Sequence, residues 1–142
     1  MRRTDVSNAA SKKKILIVDD EPDVVTFLSS FLEDNGYSVV SAGDGEEGFR
    51  KVLAEHPDLI SLDITMPRES GVRMYRNVVE KAETAGIPVI IVTGISTDFK
   101  QFIYGRRHLK PPAGYFEKPI NKEDFLSKIQ SLLAAGKSES SS

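Results

Sequence analysis

The chain has no cysteine and no tryptophan, and it carries only two histidines. Without cysteine there is neither a disulfide scaffold nor a thiolate metal site, and the composition fits a reducing compartment. His56 and His108 stand far apart, neither with a neighbour spaced for metal ligation, and both read as surface residues. No apolar run approaches the ~20 residues that a bilayer-spanning helix requires, so no membrane insertion is expected. The first twelve residues carry positive charge but lack the apolar centre of a signal peptide. A formal net charge of −2 leaves no excess of either sign to favour nucleic acid or an anionic membrane surface. A cytoplasmic protein without direct nucleic-acid contact is expected.

At 142 residues, 39% hydrophobic and 28% charged, the chain has the length and composition of one ordinary globular domain. Residues 1–13 and 135–142 are polar, small and aperiodic and read as flexible tails around a domain at 14–134. Inside it, strand and helix patterns alternate five times. Four apolar runs end in a polar residue with chemistry to offer: Ile15-Leu16-Ile17-Val18 in Asp19-Asp20, Leu59-Ile60-Ser61-Leu62 in Asp63, Val89-Ile90-Ile91-Val92 in Thr93, and Gly114-Tyr115-Phe116-Glu117 in Lys118. Such runs, alternating with helical patterns, are the signature of parallel strands covered on both faces.

Asp20 is placed to cap a first helix that opens with Glu21-Pro22, buries Val24, Leu28, Phe31 and Leu32, and stops at Asn35-Gly36. A second strand over 37–42 precedes a helix over 44–56, which ends before Pro57. After the third strand, a loop over 63–71 leads to a helix with Val72, Tyr75, Val79 and Ala82 on one face. A short fourth helix is expected at 98–104, followed by a basic loop that includes Arg106-Arg107-His108-Leu109-Lys110. Asn121 caps the last helix, which buries Phe125, Ile129, Leu132 and Leu133. Five β-α units joined by short links predict a three-layer, doubly wound, flavodoxin-like α/β fold with strand order 2-1-3-4-5. The carboxyl ends of its strands would gather Asp19, Asp20, Asp63, Thr93 and Lys118 along one edge.

Carboxylates so gathered cannot remain bare. Two of them 4 Å apart repel by about 4 kcal/mol at an effective dielectric near 20, so either one is protonated or a cation is supplied. A set of hard oxygen ligands suits Mg2+, and Lys118 offers a compact charge for a phosphoryl oxygen. With the metal in place, one carboxylate becomes a nucleophile toward phosphorus, giving an aspartyl phosphate. The Thr93 hydroxyl is placed to bond a phosphoryl oxygen once one is present.

In residue type, order and strand-end placement together, the set resembles the receiver domain of bacterial two-component response regulators. It comprises Asp19-Asp20, Asp63 followed by Met66-Pro67 and Gly71, Thr93, and Lys118-Pro119. The resemblance implies that Asp63 is the phosphoacceptor, and that Asp19 or Asp20, with Asp63 and the Thr65 backbone carbonyl, holds Mg2+, Asp20 the more directly. It implies a Lys118 that contacts the phosphoryl group and a cis Lys118–Pro119 bond. Thr93 and Tyr115 match the switch pair that carries the signal to a face formed by helix 4, strand 5 and helix 5. The implied partners are a sensor histidine kinase or phosphotransfer protein and a downstream target protein, with the receiver a monomer or a phosphorylation-dependent dimer. It would be a switch that catalyses only its own phosphorylation and dephosphorylation, not an enzyme. A phosphorelay intermediate, a receiver cut from a larger regulator or hybrid kinase, and an enzyme of phosphate or nucleotide chemistry on the same fold are the alternatives. Thr65, two places after the acceptor, stands where the family varies, and the segment from Thr93 to Lys118 is longer than the commonest family spacing.

One motif points elsewhere. Gly43-Asp44-Gly45-Glu46-Glu47-Gly48 satisfies the dinucleotide-binding fingerprint, with Asp63 twenty residues after Gly43. Asp44, Glu46 and Glu47 would set negative charge where a pyrophosphate must rest, so the segment is read as a turn into an acidic first helical turn. No cofactor other than Mg2+ is expected.

Overall fold

Apolar alternation along each strand divides the side chains between two layers, and the helices cover both. In the computed structural model, which describes residues 12–94 and 111–141, the strands are β1 (Lys14–Val18), β2 (Ser38–Ala42), β3 (Leu59–Asp63), β4 (Val89–Thr93) and β5 (Gly114–Glu117). They form one parallel sheet in the order β2-β1-β3-β4-β5, the flavodoxin-like order expected. The described helices are α1 (Pro22–Asp34), α2 (Gly45–Glu55), α3 (Ser70–Glu80) and α4 (Lys122–Ser141), the last being the helix expected as the fifth. The expected helix at 98–104, the basic run at 106–110 and residues 1–11 of the N-terminal tail lie outside the described residues. α4 continues through 135–141, which the sequence reading assigns to a polar tail.

Residues two apart on a strand point the same way. Ile15 and Ile17 of β1, with Ile90 and Val92 of β4, meet Leu28 and Leu32 of α1 and Phe125 and Ile129 of α4. Leu16 and Val18, with Ile60, Leu62 and Ile91, meet Val52 of α2 and Met74, Tyr75 and Val78 of α3. Phe125 and Phe116 pack edge to face, ring centroids 5.5 Å apart. β3 and β4, at the centre, are buried along their whole lengths, which is why they read as unbroken apolar runs.

Several local expectations hold and some are corrected. Asn121 Oδ1 accepts from the Asp124 N–H at 2.9 Å, the cap expected for α4. Asp44 caps α2 by accepting from the Glu47 N–H (2.8 Å), and Glu47 Oε1 accepts from the N–H of Gly43, the residue before the cap (2.9 Å), so the fingerprint-like segment is held as a capped turn. The cap of α1 is a correction. Glu21, not Asp20, is its N-cap, and no side chain makes a capping hydrogen bond there. The Asp19 carboxylate takes the Glu21 N–H instead, at 2.9 Å, which leaves the Asp20 side chain exposed and uncommitted to the helix. On α3 Gly71, Met74, Tyr75 and Val78 are fully buried, and Val72 and Val79 pack half-buried against the same core as expected. Ala82, placed on that face by periodicity, is exposed beyond the end of the helix. The short 3-10 turn Pro67–Glu69, with Arg68 at φ 59°, leads directly into the helix at Ser70.

Candidate functional site

Register brings the strand ends together. Val18 pairs with Leu62, Asp63 with Val92, and Thr93 with Glu117. Asp19, Asp63, Thr93 and Lys118 therefore emerge within two residues of a common edge, where open parallel sheets bind ligands. The backbone seals the arrangement: Asp19 N–H donates to the Ala42 carbonyl (3.1 Å), Ile64 N–H to Val92 (3.1 Å), and Lys118 N–H to Thr93 (2.9 Å).

Two of the carboxylates are buried, Asp19 at 4% exposure and Asp63 at 2%. Asp63 Oδ1 accepts from both the backbone N–H and the hydroxyl of Thr65, at 2.8 and 2.6 Å. Oδ2 lies 3.2 Å from Lys118 Nζ. That ammonium also reaches Asp19 Oδ2 at 3.1 Å and makes a very short contact with Glu21 Oε1. Asp19, Asp20 and Asp63 each present an oxygen, and these oxygens lie within 4.8 Å of one another. A hard, all-oxygen donor set with a net negative charge fits a Mg2+-sized cation, which requires few protein ligands and retains water. Lys118–Pro119 is cis, as expected.

Burial pushes the Asp19 carboxyl up to about 6, and the neighbouring Asp63 adds to this, against the Glu21 N–H and Lys118, which favour the anion. For Lys118 burial acts downward, yet the Glu21 hydrogen bond and the charges of Asp63 and Asp19 outweigh it and hold the ammonium well above the ordinary lysine range. Among the described residues, the pocket is an anionic nest around the Lys118 ammonium.

Of the residues singled out in the sequence, Asp19, Asp20, Asp63, Thr65 and Lys118 meet in one volume. Thr93 is fully buried at the end of β4, with its carbonyl on the Lys118 backbone. Tyr115 lies opposite Ile91 in β5, half-buried against the core on the α2–α3 side. The fingerprint-like segment is a capped turn. Sequence reasoning passed over two participants. Glu21 looks in sequence like no more than part of a helix opening, although its place two residues after the strand-end Asp19 is a signal that could mark it. Ser70 accepts no sequence signal at all, yet its hydroxyl takes the Gly45 N–H at 3.1 Å and ties α2 to α3 beside the site.

The closeness of α3 to β3 also has a residue-level cause. A Cβ on Gly71 would sit 2.3 Å from the Asp63 carbonyl oxygen and 2.8 Å from Ile64 Cα. Only glycine lets the helix start this near the backbone of Asp63.

Residues 15–130 match the family model of the response regulator receiver domain. Protein PilH of Pseudomonas aeruginosa is 36% identical over 121 residues, covering 85% of this chain and 98% of PilH. The alkaline phosphatase synthesis transcriptional regulatory protein PhoP of Bacillus subtilis is 33% identical over 122 residues, 85% of this chain but only 48% of that protein. The chain thus spans about half the length of such larger relatives. Among solved structures, the CheY-like receiver domain protein of Methanospirillum hungatei has a TM-score of 0.79 at 31% identity, over 91% of this chain and 99% of that one. TrrA of Thermotoga maritima, in complex with Mg(2+)-BeF, has a TM-score of 0.72 at 28% identity, over 84% and 98%. The strand order, the acidic pocket around one lysine and this set of relatives agree, and the chain belongs to the response regulator receiver domain family.

Proposed function

We propose that this receiver is switched by transfer of a phosphoryl group to Asp63 from a phosphohistidine of a sensor histidine kinase or phosphotransfer protein. The observation that carries the reading is the placing of Asp63: a buried carboxylate whose Oδ1 is tied by Thr65 and whose Oδ2 faces the Lys118 ammonium at 3.2 Å.

Oδ2 is the oxygen that attacks. Its bond to phosphorus forms as the phosphorus–nitrogen bond breaks, and the electron pair of that bond returns to the imidazole, which takes up a proton as it leaves. Thr65 holds the carboxylate plane during transfer, so little orientation remains to be found at the barrier. Lys118 meets the charge of the incoming phosphoryl oxygens. Asp19, Asp20 and Asp63, with the Thr65 carbonyl, would hold Mg2+, which when bound supplies further positive charge and alignment for the group in transfer. Loss of the phosphoryl group follows by attack of water on phosphorus, with the Asp63 carboxylate as leaving group.

Thr93 and Tyr115 are the switch. A phosphoryl group favours the conformer in which the Thr93 hydroxyl bonds it and the Tyr115 ring turns inward, which reshapes the surface around β5 and α4 that a target protein reads. Differential stabilisation of a few kcal/mol is enough for such a shift. The protein turns over no external substrate. The reading as a single-domain regulator working through protein contacts is supported by the match along nearly all of PilH.

Incubation with Mg2+ and acetyl phosphate, followed by intact mass, tests the proposal. A single phosphate adduct is expected, absent from Asp63→Asn and from protein treated with a chelator. Failure of the wild-type chain to form any adduct would overturn it.

A further inference from the structure

Lys118 has three N–H donors, and in this structure three carboxylates take them: Asp19, Asp63 and Glu21. A phosphoryl group on Asp63 therefore finds its lysine already engaged, and one partner must let go. The three are not equal. Asp19 is buried and anchored by the Glu21 N–H, and Asp63 is buried and anchored by Thr65. Glu21 is 58% exposed, lies on the solvent side and makes the shortest contact of the three. Its carboxylate rehydrates at little cost when released. It is also an anion lying where a second anion must approach.

We infer that Glu21 is an intramolecular stand-in for the phosphoryl group, holding the Lys118 ammonium in the resting state and released from it on phosphorylation. This rests on the proposed function and adds to it a positioning residue that acts through Lys118. The device sets the poise of the switch. An occupied Lys118 keeps the resting conformer favoured, and modification must displace Glu21 before the lysine can serve the phosphoryl oxygens.

The test compares the wild type with Glu21→Gln and Asp23→Asn. Asp23 lines the same groove as Glu21 and Lys118 but lies outside the Lys118 ion pairs, so its loss removes an equal charge nearby without freeing the lysine. The probes are beryllofluoride with Mg2+, read as binding affinity, and acetyl phosphate with Mg2+, read as the rate of adduct formation. Glu21→Gln is expected to bind beryllofluoride three- to tenfold more tightly and to gain adduct faster by a similar factor, about 0.7–1.4 kcal/mol. Asp23→Asn should stay within twofold of the wild type, and the advantage of Glu21→Gln should shrink as salt is raised. Equal affinities for Glu21→Gln and wild type, or equal gains in both variants, would overturn the inference while leaving Asp63 as acceptor. A wild-type chain that takes neither probe would overturn the proposed function and this inference with it.

Discussion

At the scale of the residue, the site is governed by the sharing of one ammonium, that of Lys118, among three carboxylates. Asp19 and Asp63 are nearly without solvent, and each has Lys118 as an ion-pair partner. Removing one member of such an arrangement strands the others, because buried charge without a partner costs more than the pair contributes. Lys118→Ala is expected to lose about 2–4 kcal/mol at pH 7 in metal-free buffer, measured as a lowered urea midpoint. Millimolar Mg2+ should recover more stability in the variant than in the wild type, since a bound ion replaces the missing charge. Equal recovery in both proteins would show that the lysine and the ion do not share these carboxylates. Asp63, Asp19-Asp20 and Lys118 were legible in the sequence because each follows an apolar run, and strand ends are where a parallel sheet exposes side chains. Glu21 was not, because a glutamate in the first turn of a helix has a sufficient local reason to be there.

At the scale of the element, the position of α3 decides the geometry around Asp63. The helix starts directly over the strand end, and Gly71 leaves no room for a Cβ against the Asp63 carbonyl. Gly71→Ala must push the helix and the strand apart, at a cost of about 1–3 kcal/mol. Because the displaced backbone belongs to Asp63, the proposed acceptor, adduct formation from acetyl phosphate should slow by more than the loss of stability would suggest. A variant that is destabilised yet phosphorylated at the wild-type rate would place the strain elsewhere. The same helix shows where reading by periodicity falls short. Tyr75 is buried and Val72 and Val79 pack against the core as expected, but Met74 and Val78 are the more deeply buried and Ala82 is exposed. A 3-10 turn with Arg68 at φ 59° leads into the helix, and the backbone path between strand and helix is not encoded by the apolar pattern within the helix.

At the scale of the whole molecule, both layers depend on large side chains sealed between sheet and helices, Phe125 on one side and Tyr75 on the other. Tyr75 carries a phenol into that interior, and burial pushes its pKa up from the ordinary tyrosine value of 10.0 to about 12. A group whose folded value is raised contributes stability that is complete below the unfolded value and lost as pH rises through the folded one. Alkaline titration between about pH 10 and 12 should therefore cost up to about 3 kcal/mol through this residue. Tyr75→Phe should be markedly less sensitive than the wild type over that window in urea unfolding, and parallel pH profiles for the two would rule the tyrosine out as the cause.

Sequence by itself determined the strand count, the parallel order and the identity of the strand-end residues. Apolar alternation, turn residues and caps are local, and the right-handed crossover leaves few ways to join five such units. It also determined that carboxylates and a lysine would face one another, since sheet register follows from burying the apolar runs side by side. Tertiary structure alone decided which carboxylates Lys118 touches, that Thr65 ties one oxygen of Asp63 and leaves the other facing the lysine, and that Ser70 and Gly71 set α3 against its neighbours. Those contacts join residues as much as 99 positions apart, and angstrom distances between such residues depend on how whole helices and loops pack, which no local pattern encodes.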